Sequence, residues 1–521
     1  MVCRWGLGLL CLAALHGHLG FSPALAIDQR RLFLDKDGEL KDVKSAGAVQ
    51  PALLGAVPTV PDAELADVTY DSFQDIDGPV FPFTTTTPPG TSNAWKPDDE
   101  AIAGAAGCQE QQPAGKSASS EEEGEAEEKS CELTWKKSQR LASGLMRFSV
   151  RLLKEAQQES NRPNVILSPL SIALALSHLA LGAANQTEKH LLEAMHLDSV
   201  PCLHHTLGAF RRRLAQSTLS LASRLYLQKG FEVKEKFLDD SEKFYGAKPM
   251  TLSGISEDDL VAINKWVKEA TNGQIPTFLQ QLPENTVMLL LNAIHFHGFW
   301  RNKFDVSITG PDVFHLDNEF VVPVEMMKAQ EYSLSWFTLE TQDIQVAKFP
   351  FESNMSFVVI VPNQYTWNTS HVLETFPYKQ LCRLFPKEIP TTVKIPKIKL
   401  DYQLELNKVL SRMGLQELFT SPDLQKITDD PLLVSSVQHQ SALELKEDGA
   451  EASASTGVAI SRSVSAFSID RPFLFIIFED ETGIPFLIGS VQNPNPNAAP
   501  QIKEPRDSPE ATNVNESPMP K

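Results

Sequence analysis

Residues 449–477 read GAEASASTGVAISRSVSAFSIDRPFLFII. After Gly449 the even positions are Ala450, Ala452, Ala454, Thr456, Val458 and Ile460. The odd positions are Glu451, Ser453, Ser455, Gly457, Ala459 and Ser461. That is the period-two pattern of a strand with one buried face. The side chains are small, however, and those of the first half have poor strand propensity. The pattern suits a segment that lives as an exposed loop and becomes a strand when a place in a sheet opens. Arg462 is the one charged residue between Ala452 and Ile469. Small-residue loops are where proteases cut, and a trypsin-like pocket selects Arg or Lys through a buried carboxylate. The expected point of attack is therefore the Arg462–Ser463 bond.

Upstream, the chain changes character twice. Residues 1–26 read as a secretory signal: Arg4 at the start, an apolar stretch from Leu7 to Leu15, and Ala24-Leu25-Ala26 as a cleavage site. The apolar run is too short for a membrane anchor, and no other stretch approaches 18 uninterrupted apolar residues. Residues 27–134 read as an acidic, disordered extension. From Ile27 to Glu132 there are 22 acidic residues against 8 basic ones, while the whole chain carries −19. Such a segment cannot bury enough apolar surface to offset its ordering entropy. The overall acidity argues against nonspecific nucleic-acid binding.

From residue 135 the composition is that of a globular domain. Ser138 to Gln157 has helical spacing, with Leu141, Leu145, Phe148, Leu152 and Leu153 on one side. Ser168-Pro169 opens a second helix, serine as cap and proline at its first position. Residues 171–181 are apolar nearly all round, which predicts a buried helix. A further amphipathic helix is expected over 259–270, ending near Asn272-Gly273. Strands are expected at 287–291, 357–362, 392–395, 473–478 and 486–488. The class is mixed α/β, with large antiparallel or mixed sheets. Residues 135–494 form the domain, and 495–521 a flexible tail.

Cys3 and Cys11 fall in the signal. Cys108, Cys131, Cys202 and Cys382 remain in an oxidising compartment, and their spacing allows three pairings without choosing one. No Cys-x-x-Cys or His-rich cluster points to a metal, and no cofactor is expected. A hydrolase is disfavoured, since the chain has neither a Gly-x-Ser-x-Gly elbow nor a His-Glu-x-x-His motif. The Asn-x-Ser/Thr positions Asn185 and Asn368 sit in polar stretches and are expected to carry glycans. Asn354, just before an apolar run, is a weaker candidate.

The stretch from Phe467 to Ile477 resembles the signature that follows the reactive loop of serpins. Leu167 to Ser171, Ile263 to Val267 with Thr271 and Gly273, and Asn292 to Phe296 also resemble serpin motifs, in serpin order. So do Phe299-Trp300 with Phe304, and Leu487 to Val491. The resemblance covers about residues 135 to 494. It implies a serpin fold with large β-sheets, surrounding helices and an exposed reactive-centre loop. The implied mechanism is acyl-enzyme trapping: the target's serine attacks Arg462, the loop is cut, and the segment from Gly449 inserts into the main sheet. Ala450, Ala452, Ala454 and Thr456 would then face the core and Glu451 outward. By the same resemblance Ser168, Ser171, Asn292 and His439 sit where the sheet parts, with Trp300 near the top of that opening.

Within the family the plasmin-directed members resemble this chain most. Arg462 lies one residue short of the usual spacing from the hinge glycine, which would otherwise place Ser463 before the cut bond. Those members share this shortening. The resemblance implies a monomeric, secreted plasma inhibitor that forms a covalent complex with plasmin or another trypsin-like protease. It implies a Cys131–Cys202 disulfide. It also implies fibrin cross-linking through Gln29 and contact of Lys521 with plasminogen kringles, although the tail has only Lys503 and Lys521. Two alternatives stand beside this reading. One is a thrombin-directed serpin using the acidic arm around Tyr70. The other is a non-inhibitory serpin, disfavoured because residues 450–456 contain no proline and only Glu451 as a charge.

Overall fold

The computed structural model describes residues 30–34, 40–42, 134–160, 162–214, 220–283, 285–365, 369–447 and 465–503. Its principal helices are α1 (Trp135–Glu159), α2 (Pro169–Gly182), α3 (Asn185–Ala194), α4 (Leu203–Leu214), α5 (Glu235–Asp240) and α6 (Ser256–Ala270). The strands are β1 (Arg30–Leu34), β2 (Leu40–Asp42), β3 (Asn164–Leu167), β4 (Ser220–Leu227), β5 (Met250–Thr251) and β6 (Met288–Gly298). They continue with β7 (Gly310–His315), β8 (Phe320–Leu339), β9 (Ile344–Pro350), β10 (Met355–Pro362), β11 (Ile389–Pro396) and β12 (Ile398–Glu405). The last are β13 (Ser436–Leu445), β14 (Ala466–Ser468), β15 (Phe473–Glu479), β16 (Pro485–Val491) and β17 (Gln501–Ile502).

Helix α1 forms because its apolar residues fall on one side. Leu141, Leu145, Phe148, Leu152 and Leu153 are all buried, and Thr134 caps it by accepting from the Lys137 N–H. Helix α2 begins as its sequence dictates, with the Ser168 hydroxyl accepting from the Ser171 N–H and Pro169 in the first turn. Apart from half-buried Leu181, the whole helix is buried. It lies between the two sheets, packed on β4, β6 and β16.

One sheet has twelve strands, eight along the path β14-β11-β8-β9-β10-β15-β16-β3 and β1, β2, β7 and β17 paired off it. The other has five, ordered β12-β13-β6-β4-β5. In the five-stranded sheet, side chains alternate between two cores. Leu290, Ile294 and Phe296 of β6 and Val437 and Leu443 of β13 face α2 and the main core. Leu289, Leu291 and Ala293 of β6 and Ala442 of β13 face α6 in a second, smaller core. That is the pleat expressed as burial.

Several elements run beyond their sequence signals. Helix α6 starts at Ser256, because its first turn holds Glu257, Asp258 and Asp259 rather than apolar residues. Acidic side chains suit that end of the helix dipole. Strand β6 continues to Gly298, and β8 runs for 20 residues where no strand was expected. Two segments read as unstructured contain strands. Strand β1 pairs parallel with β8 at Phe337–Leu339 and antiparallel with β2. Strand β17 pairs with β8 at Phe320–Val321, so the tail is held as far as Lys503, whose N–H donates to the Glu319 carbonyl at 2.8 Å.

Candidate functional site

Strands β6 and β13 run parallel, Ser436 opposite Leu289 through Leu445 opposite Gly298. The other long neighbours in this sheet, β12 with β13 and β4 with β6, are antiparallel. Beyond β13 the described chain ends at Glu447 and resumes at Ser465. The segment expected to carry the function, including Gly449, Ala450, Glu451, Ala452, Ala454, Thr456, Arg462 and Ser463, lies outside the described residues. Its two ends do not.

The near end leaves the top of β13 beside β6. There the Trp300 indole N–H donates to the Lys446 carbonyl at 2.8 Å. Trp300 is fully buried, stacked on Phe351 at 4.8 Å and edge-on to Phe304 at 5.9 Å. Glu447 is buried and paired with Lys397 at 3.1 Å. Burial alone would raise its carboxyl pKa. Its own backbone N–H and the Lys397 ammonium outweigh that and hold it below the usual value. The far end enters β14 through Ser465. Its carbonyl accepts from Thr392 N at 2.8 Å, and its hydroxyl accepts from the Trp336 indole at 3.2 Å. The chain between Glu447 and Ser465 therefore connects an inner strand of one sheet to the edge strand of the other.

Midway along the β6–β13 pair, the structure brings together the four residues expected at the parting of the sheet. His439 lies opposite Asn292. The Ser168 N–H donates to His439 Nε2 at 3.2 Å, so Nε2 is the acceptor and Nδ1 carries the proton. Nδ1–H then donates to Asn292 Oδ1 at 2.7 Å. Ser171 donates its hydroxyl to the same Oδ1 at 2.7 Å and accepts from Asn292 Nδ2 at its carbonyl, at 2.9 Å. Burial pushes the His439 imidazole down to about 3, which keeps it neutral near pH 7. The arrangement pins β6 to β13 and both to the start of α2. It consists of directional bonds, flanked in the same register by the buried apolar pairs Leu290 with Val437 and Phe296 with Leu443.

Sequence reading missed several partners. Ser441, on β13, donates to the Ile166 carbonyl of β3 at 2.5 Å. Glu447 and Lys397 tie the end of β13 to the start of β12, and Gln403 of β12 donates to the Phe278 carbonyl at 2.7 Å. Each is an ordinary polar residue in or just beyond a strand, so no local signal marks it.

The remaining candidates are dispersed. Cys202 is disulfide-bonded, whereas Cys131 lies outside the described residues, as do Gln29, Asn368 and Lys521. Asn185 is exposed at the start of α3 with φ 48°, its amide donating to Asp423 at 2.7 Å. Asn354 is exposed in the turn before β10, also with a left-handed φ of 52°. Among the described residues no His/Cys/Asp/Glu group suited to a metal occurs, and no helix is long and apolar enough to cross a membrane.

The family model described as Serpin (serine protease inhibitor) matches residues 143–494. The chain is 55% identical over 378 residues to alpha-2-antiplasmin of Bos taurus, covering 72% of this chain and 77% of that protein. It is 53% identical over 378 residues to alpha-2-antiplasmin of Mus musculus, with the same coverage. Among solved structures, mouse protein-Z dependent protease inhibitor superposes with a TM-score of 0.64 at 26% identity, covering 69% of this chain and 99% of that one. A family match over most of the globular region thus joins a two-sheet architecture whose loop leaves from a parallel seam, and the chain belongs to the serpin family of serine protease inhibitors.

Proposed function

We propose that this chain inhibits plasmin, or a closely related trypsin-like protease, by offering Arg462 as bait and inserting its cut loop between β6 and β13. The observation that carries the reading is the parallel seam. A segment that leaves β13 and folds back beside it runs antiparallel to both β13 and β6. Insertion therefore replaces one parallel pairing with two antiparallel ones, which are slightly more stable per residue. The target's serine attacks the Arg462 carbonyl, Ser463 leaves as the new amine, and the acyl-enzyme is carried along as the strand enters. At the seam the inserted residues would lie beside Asn292 and His439, which suits the small side chains of Ala450, Ala452, Ala454 and Thr456. The likeness to alpha-2-antiplasmin supports plasmin as the target.

The other assignments belong to the same reading. Residues 1–26 are the secretory signal, 27–134 an extension, 135–494 the inhibitory domain and 495–521 the tail of a secreted, monomeric plasma glycoprotein. Cys131 is the partner of Cys202. Asn185 and Asn368 carry glycans, with Asn354 a weaker site. Gln29 is a transglutaminase substrate that links the inhibitor to fibrin, and Lys521 makes a weak contact with kringles.

Two variants separate bait from trap. Arg462→Ala removes the charge a trypsin-like pocket demands and should abolish the denaturant-stable complex with plasmin, thrombin and trypsin, with little change in stability. Ala454→Glu leaves the bond cleavable but buries an unpaired carboxylate on insertion, at a cost of several kcal/mol. It should turn the inhibitor into a substrate. A stable complex on denaturing gels with the first variant, or undiminished inhibition by the second, would overturn the mechanism.

A further inference from the structure

The seam has a second face. Helix α6 lies on the side of the five-stranded sheet away from α2, with Ile263 and Val267 buried against Ala222 of β4, Leu289 and Leu291 of β6, and Ala442 of β13. After Gly273, which takes a left-handed φ of 80°, the chain packs back into the same small core through Ile275, Phe278 and Leu279. Asn264 of α6 holds that return segment. Its Oδ1 accepts from the Phe278 and Leu279 N–H groups at 2.7 and 2.9 Å, and its Nδ2 donates to the Leu279 carbonyl at 2.8 Å. The Phe278 carbonyl is taken by Gln403 Nε2 of β12 at 2.7 Å. In sheet order β12 and β13 lie on one side of the seam, and β6 and β4 on the other.

We infer that Gln403 is a positioning residue that latches the seam from this outer face, and that its bond to Phe278 is broken during loop insertion. The inference rests on the insertion reading above. A strand entering between β6 and β13 moves β12 and β13 away from β6 by about 4.8 Å, one strand spacing. Helix α6 is also anchored on the β4 side, where the Arg224 guanidinium lies over the Trp266 ring at 4.3 Å. A 2.7 Å bond cannot span the widened gap while α6 and its return segment stay with β4 and β6. The return segment is tied to α6 through Asn264, so the Gln403–Phe278 bond opens, and the latch opposes insertion. The His439–Asn292 bond closes the same seam from the α2 side. The Arg224–Trp266 contact, by contrast, does not cross the seam and has no such role.

The test uses the intact full-length chain and a synthetic peptide of residues 449–461, whose entry into the sheet is followed over time. Gln403→Leu removes the donor and keeps the bulk. It should raise the annealing rate roughly two- to tenfold, the effect of one neutral hydrogen bond. Gln403→Asn, too short to reach, should match it, and either variant suffices if the other folds poorly. Arg224→Ala should leave the rate within about twofold. The urea midpoint of the loop-cleaved protein, where the bond is already broken, should be unchanged by Gln403→Leu. That last readout would move if Gln403 merely supported the fold. A wild-type annealing rate in both Gln403 variants, with the peptide still entering, overturns the latch. A peptide that enters neither wild type nor variants overturns the insertion reading beneath it.

Discussion

The two sheets of this molecule are built to different ends. At the centre of the twelve-stranded sheet, β10, β15 and β16 pair antiparallel and every one of their residues is buried. Phe357 and Phe475 pack there at 5.5 Å between ring centres. Gly489 has the Phe475 ring so close that a Cβ would meet it at 2.5 Å. At the β6–β13 seam, the strands are parallel and, midway along, the facing pair Asn292 and His439 is polar. The first contact is held by interlocked volume, whereas the second adds to its apolar pairs, Leu290 with Val437 and Phe296 with Leu443, hydrogen bonds aimed at single atoms. Interlocked side chains separate only by opening a cavity, whereas directional bonds can be surrendered singly and replaced by those of an incoming strand. On the proposed insertion, the seam that parts carries polar pairs, and the sheet that stays is filled with aromatics.

The comparison can be broken most forcefully from the permanent sheet. Phe475→Ala should cost about 3–5 kcal/mol, and by a similar amount in intact and loop-cleaved protein, because this sheet is the same in both. Urea unfolding of the two forms measures it, and a loss confined to the intact form would contradict the division proposed here. Acid is the next probe. Burial holds the His439 and His178 imidazoles near 3, against 6.5 for an unperturbed histidine. Between those values the unfolded chain binds the extra protons. Stability is therefore complete above about pH 6.5 and is lost as pH falls toward 3, by about 2 kcal/mol per histidine at pH 5. His439→Gln should remove one such share of the acid sensitivity, read as a smaller difference between urea stabilities at pH 7.5 and pH 5.

Smaller effects sharpen the picture. Lys397→Met should leave Glu447 buried without its partner and lower the stability of the intact form by about 1–2 kcal/mol, since half-exposed Lys397 is already screened by solvent. An unchanged urea midpoint would show that this pair contributes nothing to stability. At the bottom of the scale, the exposed Lys189–Glu193 pair on α3 lies far from either sheet contact. Lys189→Ala should change stability by no more than about 0.5 kcal/mol in either form.

Much of this was legible in the chain, and the reasons for the gaps are physical. Helices α1 and α2 carry their own periodicity, cap and proline, so their starts fell within a few residues of expectation. The expected strand stops at Leu291, whereas β6 runs on through Asn292 and His295 to Gly298. Both are buried, and for Asn292 the cause is a partner on β13 that no local window contains. Strand β8 went unseen because its burial switches face along its length as it passes from one group of neighbours to another. The arm and tail strands β1 and β17 owe their existence to the edge of β8 and have no strong propensity of their own.

What the sequence determined by itself is the chemistry that depends on a residue and its near neighbours. Arg462 as the sole positive charge in its loop, the small period-two residues before it, and the Ser168-Pro169 helix start are all local facts. Tertiary structure alone decided that β6 and β13 would be parallel neighbours. It also decided that His439 would carry its proton on Nδ1, that Glu447 would meet Lys397, and that Gln403 would reach Phe278 across the seam. Strand pairing and buried hydrogen bonds depend on which distant groups arrive with matching donors and acceptors. An isolated imidazole or amide carries no record of the partner it will find.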